Sequence, residues 1–187
     1  MSITQIAGRF FVPRQKELEK HFSQPEELQH RVLARLMAAA ADTEYGRDHL
    51  FGSVNNYEQF AANCPVNSYE DLKDFIDRMR HGESDVLWKG KVRWYAKSSG
   101  TTNDKSKFIP VSADGLKDTH YQGGKDAVAY YLDNNPKSRL FDGRALILGG
   151  SHSPNYNVAN SLVGDLSAIL IENINPMANL VRVPKKQ

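Results

Sequence analysis

Apolar positions recur at helical spacing through the first eighty residues, after which the period changes. In "SQPEELQHRVLARLMAAAADTEYG", Leu28, Val32, Leu36 and Ala40 fall every four residues, which predicts one stripe of a helix turned toward a core. Ser23 and Glu26 stand ahead of that run in the S-x-x-E arrangement with a proline between them, so this helix is expected to start on a capping box. "NYEQFAAN" reads as a short helix capped by Asn56. In "SYEDLKDFIDRMRHGE", Ser68 precedes Asp71 by three and Leu72, Phe75, Ile76 and Met79 form the expected buried face, with Gly82 placed to end the helix. Lys16, Glu17, Glu19 and Lys20 read as a solvated helix face.

Past Gly82 the texture becomes that of strands. "DVLWKGKVRWYAK" alternates and carries β-formers, predicting a strand or hairpin that runs into "SSGTT". "SADGLKDTHYQGGKDAVAYYLDNN" returns to a helical pattern, weakened by Gly123 and Gly124. "RALILGG" is a short continuous apolar run closed by glycines, the pattern of a buried parallel strand. Helix, strand, loop, helix and strand in that order predict an α/β fold with sites at strand ends. The aromatic residues Trp88, Trp94, Tyr95, Tyr130 and Tyr131 lie at strand and helix positions, where core packing is the ordinary role and stacking on a ligand the rarer one.

Composition changes this picture little. With 187 residues, 40% of them hydrophobic and 25% charged, the chain has the make-up of one globular domain with a real core. A net charge of +2 is too small for a general nucleic-acid partner, so any basic site must be local. The lone Cys64 precedes Pro65 with no histidine beside it and rules out a disulfide framework or a cysteine metal cluster; it reads as structural. No apolar leader and no run of about 18 apolar residues is present, so neither secretion nor membrane insertion is expected, and a cytoplasmic location is.

The charge missing from the whole is concentrated in one place. Lys89, Lys91, Arg93, Lys97, Lys105 and Lys107 surround "SSGTTND", with Asp104 as the one anion between Lys89 and Lys107. Glycine flanked by hydroxyl residues lets backbone N–H groups approach an anion while Ser and Thr donate further hydrogen bonds, and a following lysine neutralises the charge that remains. Five such residues alone would also suit a surface turn; the strand before them and the lysines after them favour a phosphate loop. A Walker A loop would need G-x-x-x-x-G-K-[ST], and after Gly100 the second glycine is absent.

"AKSSGTTNDKSKFIPVS" resembles the first ATP motif of the GH3 acyl-acid amido synthetases, the auxin-responsive promoter family within the acyl-adenylate-forming superfamily. "ADTEYGRDHLFG", "CPVNSYEDLKDFIDRMRHGESDVLW" and the helix from Leu28 are similar to the same family in the same order, so the resemblance covers about residues 25–113. It implies that Ser98, Ser99, Gly100, Thr101 and Thr102 wrap the β- and γ-phosphates of ATP, with Lys107 at the motif's lysine. The chain departs from plant members at Asn103 and Asp104, where glycines are frequent. The implied cofactors are ATP and Mg²⁺, and the implied reaction adenylates a small carboxylic acid and passes the acyl group to an amine such as an amino acid. Later family motifs for adenine and ribose lie outside these residues, so 1–187 reads as a single, N-terminal part of a larger adenylating domain. Such a chain is expected not to complete adenylation alone and to self-associate through an uncovered core face. A stand-alone or inactive nucleotide- or anion-binding module is the alternative. "GGSHSPNYN", with His152, could line an acyl-acid pocket or accept a metal or proton, and fits a glycine-rich turn better.

Overall fold

The computed structural model describes residues 2–98, 106–150, 158 and 161–184. Six helices come first: α1 (Ile3–Phe11), α2 (Arg14–Ser23), α3 (Pro25–Ala40), α4 (Glu44–Asp48), α5 (Tyr57–Asn63) and α6 (Tyr69–Arg80). Strands β1 (Trp94–Ser98) and β2 (Lys107–Val111) follow. A continuous helical stretch then runs through α7 (Ala113–Gly115), a π-helical segment (Leu116–Tyr121) and α8 (Gln122–Asn134). Short pieces complete the order: β3 (Ala145–Leu146), β4 (Leu162–Gly164), α9 (Leu166–Glu172), α10 (Pro176–Val181) and β5 (Arg182–Val183).

The central sheet has the order β2-β1-β4, with β1 antiparallel to β2 and parallel to β4. Tyr95 in β1 and Val163 in β4 are paired, so they share a face, and there they meet Ile76 and Met79 of α6 together with Val86 and Val92. Burial of these side chains holds α6 against the sheet. Helix α6 begins as its sequence predicts: Asp71 accepts from both the backbone N–H and the hydroxyl of Ser68, at 2.7 Å each. It ends at Gly82, whose φ of 93° and N–H bond to the Met79 carbonyl turn the chain out of the helix.

A second core gathers Met37 and Ala40 of α3 with Phe51 and Val54. Here the stripe differs from the expected one. Leu33, Leu36, Met37 and Ala40 face the core while Val32 is 39% exposed, because a four-residue step advances about 40° beyond each full turn and drifts off one face. The Ser23 capping box is also not formed. Ser23 closes α2 by donating to the Lys20 carbonyl, and Gln24 occupies the cap position of α3. Asn56 does cap α5, accepting from the Gln59 N–H at 2.9 Å.

Of the alternating stretch 85–97, residues 94–97 belong to β1 and run into the hydroxyl-rich segment as expected, while 85–93 form a loop and not a strand. Its carbonyls at Asp85 and Val86 accept from Glu44 and Tyr45 at the start of α4, while Val86 and Val92 fill the first core and Trp88 packs on the second. Asp85 and Gly90, at φ 59° and 68°, close this loop on themselves through two hydrogen bonds. Strand β3 pairs in parallel with β5, but both its residues are exposed: Leu146 is 70% and the nearby Leu148 is 76% accessible. Helices α1 and α2 lie along α8, tied by Arg14 to Asp126 at 2.9 Å.

Candidate functional site

Strands β1 and β2 form the arms of a hairpin whose intervening residues carry the hydroxyl-rich motif. Their register runs from Trp94↔Val111 to Ser98↔Lys107, so the last pair before the loop consists of a candidate phosphate-binding serine and the candidate lysine. Ser98 is half-buried and Lys107 is exposed. Ser99, Gly100, Thr101 and Thr102 lie outside the described residues, as do Asn103, Asp104, Lys105 and His152. Two of the six expected site residues are therefore brought face to face across the ladder, at the mouth of the loop that holds the other four.

Of the surrounding cations, Lys89 is engaged elsewhere. Its Nζ lies 3.3 Å from Asp114, which also accepts from the Trp88 indole at 3.2 Å, and these two donors hold the Asp114 carboxyl below its ordinary range. Among the described residues Lys97 and Lys107 make no ion pair, and both are exposed. Lys97 is one position before Ser98, so alternation sends these two side chains to opposite faces of β1. Among the described residues, the stem thus presents positive charge with no ion-pair partner, one lysine on each face, at the open end of the hairpin.

Among the described residues β2 is an edge strand, and its outer side is closed by particular residues. Tyr69, the first residue of α6, accepts from the Phe108 N–H at 3.0 Å. Two residues on, the position with the same orientation is Pro110, which has no N–H to leave unpaired. The Lys107 Nζ lies 5.3 Å from the centre of the same Tyr69 ring, and the Arg80 guanidinium stacks 3.7 Å over the Phe108 ring. Tyr69 and Arg80 are eleven residues apart, three helical turns, so one face of α6 carries both. Neither was evident as a site residue from sequence, since Tyr69 lies 39 positions from Phe108 and reads as an ordinary first-turn residue.

Cys64 is half-buried, with its sulfur 3.7 Å from the Tyr45 hydroxyl, and Tyr45 is pushed up to about 12 by burial first and by that thiol second. This agrees with a structural cysteine. Tyr95 is fully buried and Trp88 packs against the second core, whereas Tyr131 is 45% exposed. No group of three His, Cys, Asp or Glu suited to a metal ion occurs among the described residues, nor is any helix among them long and apolar enough to cross a membrane.

Residues 14–185 match the GH3 family N-terminal domain. Over 101 residues the chain is 35% identical to the indole-3-acetic acid-amido synthetase GH3.15 of Arabidopsis thaliana, covering 54% of this chain and 17% of that protein. It is 32% identical over 97 residues to the 4-substituted benzoates-glutamate ligase GH3.12 of Arabidopsis thaliana, covering 51% of this chain and 17% of that protein. The solved structure of the Arabidopsis GH3.15 acyl acid amido synthetase in complex with 2,4-DB shares the fold, with a TM-score of 0.70 and 23% identity over 86% of this chain. That overlap spans 28% of the solved chain.

Proposed function

Because its residues 14–185 match the N-terminal domain of the GH3 family, the chain belongs to that family, and we propose that it supplies the ATP-phosphate loop of an acyl-acid amido synthetase. In that reading Ser98, Ser99, Gly100, Thr101 and Thr102 donate to the β- and γ-phosphates while Lys107 neutralises them at the loop's exit. The observation that carries it is the Ser98↔Lys107 pair, which closes the base of the hydroxyl-rich loop on a stem with exposed cations.

The first bond to form would join a carboxylate oxygen of the acid to the α-phosphorus, with the α–β phosphoanhydride breaking and pyrophosphate leaving. An amine nitrogen would then bond to the acyl carbon as AMP departs, releasing a proton. The difficulty in the first step is an anion approaching a polyanion, and fixed donors with a cation at the phosphate tail reduce that repulsion. Mg²⁺ would arrive with the nucleotide and supply counter-charge to its phosphates. The relatives' names supply the substrate class: a carboxylic acid such as indole-3-acetic acid or a benzoate, joined to an amino acid such as glutamate.

The region 1–187 would be one part of a larger adenylating domain, incompetent for the whole reaction by itself. The span of the match, 17% of each curated relative quoted above, supports this. Exposed Leu146 and Leu148 support self-association of the isolated chain.

Calorimetric titration with Mg·ATP, run beside Lys107→Ala, tests the reading. Wild type is expected to bind weakly, and loss of the ammonium should weaken binding about tenfold, the size of a charge-assisted contact at a partly exposed site. Equal affinity in the two proteins would remove Lys107 from the site. No binding in the wild type would remove the phosphate loop as a function of this region alone.

A further inference from the structure

We infer that Tyr69 is a positioning residue for the loop: the start of α6 sets where Lys107 stands and pins the strand that carries it. This rests on the phosphate-loop reading above and adds a residue outside the motif. Three observations converge on it. The Tyr69 hydroxyl accepts from the Phe108 N–H at 3.0 Å, on the side of β2 that has no neighbouring strand among the described residues. The Lys107 Nζ lies 5.3 Å from the centre of the Tyr69 ring, within the range at which a ring face attracts a cation. Tyr69 is itself fixed, because it opens α6 directly behind the Ser68–Asp71 cap and packs against the first core.

The consequence follows from the chemistry of an exposed lysine. A four-carbon stem has many rotamers, and holding its ammonium toward a phosphate costs entropy unless something limits them. An aromatic face that attracts the ammonium while leaving it accessible to a ligand limits them without forming a competing ion pair. A carboxylate in the same place would do the opposite, by neutralising the charge the ligand needs. The hydroxyl acts on the backbone instead: it satisfies an edge N–H one residue after the lysine, so the strand beneath Lys107 does not fray. Ring and hydroxyl therefore have separable effects, and Tyr69→Phe and Tyr69→Leu separate them.

Titration of the full chain with Mg·ATP and with inorganic tripolyphosphate is run for wild type, Tyr69→Phe, Tyr69→Leu, Lys107→Ala and the Tyr69→Leu/Lys107→Ala double variant. Helical circular dichroism and melting confirm that each is folded. Tyr69→Leu should weaken binding about two- to five-fold, and Tyr69→Phe should bind nearly as wild type while its Phe108 amide exchanges faster. In the Lys107→Ala background Tyr69→Leu should cost nothing further, because its effect passes through that lysine. A general loss of structure would instead persist in that background, and this persistence, or wild-type affinity in folded Tyr69→Leu, would overturn the inference. Without ligand, the Lys107 ε-proton resonances should be displaced by the ring in wild type and revert in Tyr69→Leu. Absence of that displacement would also overturn it. If wild type binds neither probe, the phosphate reading fails, whereas binding by wild type with no effect of Tyr69→Leu defeats the role of Tyr69 alone.

Discussion

At the scale of single residues, Gly46 and Gly123 show how the same substitution takes opposite signs. Gly46 is buried in α4, and a Cβ there would stand 1.9 Å from the Ala40 carbonyl oxygen, a backbone atom with nowhere to retreat. Thr43 adds to the constraint, donating to that carbonyl at 2.7 Å while accepting from the Gly46 N–H at 2.9 Å. Gly46→Ala should therefore lower stability by about 3 kcal/mol, whereas Gly123→Ala in α8, where a Cβ meets nothing within 4 Å, should raise it by about 0.5–1 kcal/mol. Denaturant midpoints of the two variants check both signs. Asp142 provides a pH signature. Its carboxyl is held at about 2, first by the Thr4 backbone N–H and also by Arg139 and the Thr4 hydroxyl, on a side chain only 11% exposed. A depressed carboxylate pKa stabilises the fold above its unfolded value near 4, and that contribution is lost as pH falls from there toward 2. The amide signals of Thr4 and Phe141, which meet at this clamp, should lose protection in that window, and in Asp142→Asn they should be pH-independent there.

Among the elements, α6 was the most legible in sequence. Its cap, apolar face and terminating glycine are local, spaced within three or four residues, and the chain needs nothing distant to use them. Elements whose state depends on remote partners were misread for the same reason turned around. Residues 85–93 alternate like a strand, yet among the described residues a strand bonds only to their last member, Arg93, whose carbonyl accepts from Leu162 of β4, and the start of α4 donates to the carbonyls of Asp85 and Val86 instead. "RALILGG" has the apolar run of a buried strand, but among the described residues Ala145–Leu146 pairs with β5 alone, in parallel, and stays exposed. The SSGTT motif marks the proposed site by composition and family resemblance, and the register sets Ser98 opposite Lys107. Nothing local in the sequence marks Tyr69, because its contact with β2 exists only after α6 has docked on the sheet.

For the molecule as a whole, the fold is that of the N-terminal part of GH3 acyl acid amido synthetases, and the proposed phosphate site lies at one end of the central hairpin, beside the exposed Lys107. A competing place for a ligand is the groove between α1 and α8 lined by Thr4, Arg9, Pro13, Leu132, Asn135 and Pro136, with a volume of about 440 Å³. It carries a single basic side chain, Arg9, and none of the hydroxyl-rich motif, where the hairpin stem sets Lys107 opposite Ser98. The most direct measurement is therefore one of location: amide resonances of the chain followed during addition of Mg·ATP. Shifts concentrated at Ser98, Ser106, Lys107, Phe108 and the residues between the strands, with Thr4, Arg9 and Asn135 unmoved, are predicted. Shifts centred on the α1–α8 groove, or spread with no maximum at the hairpin, would contradict the assignment of the phosphate site.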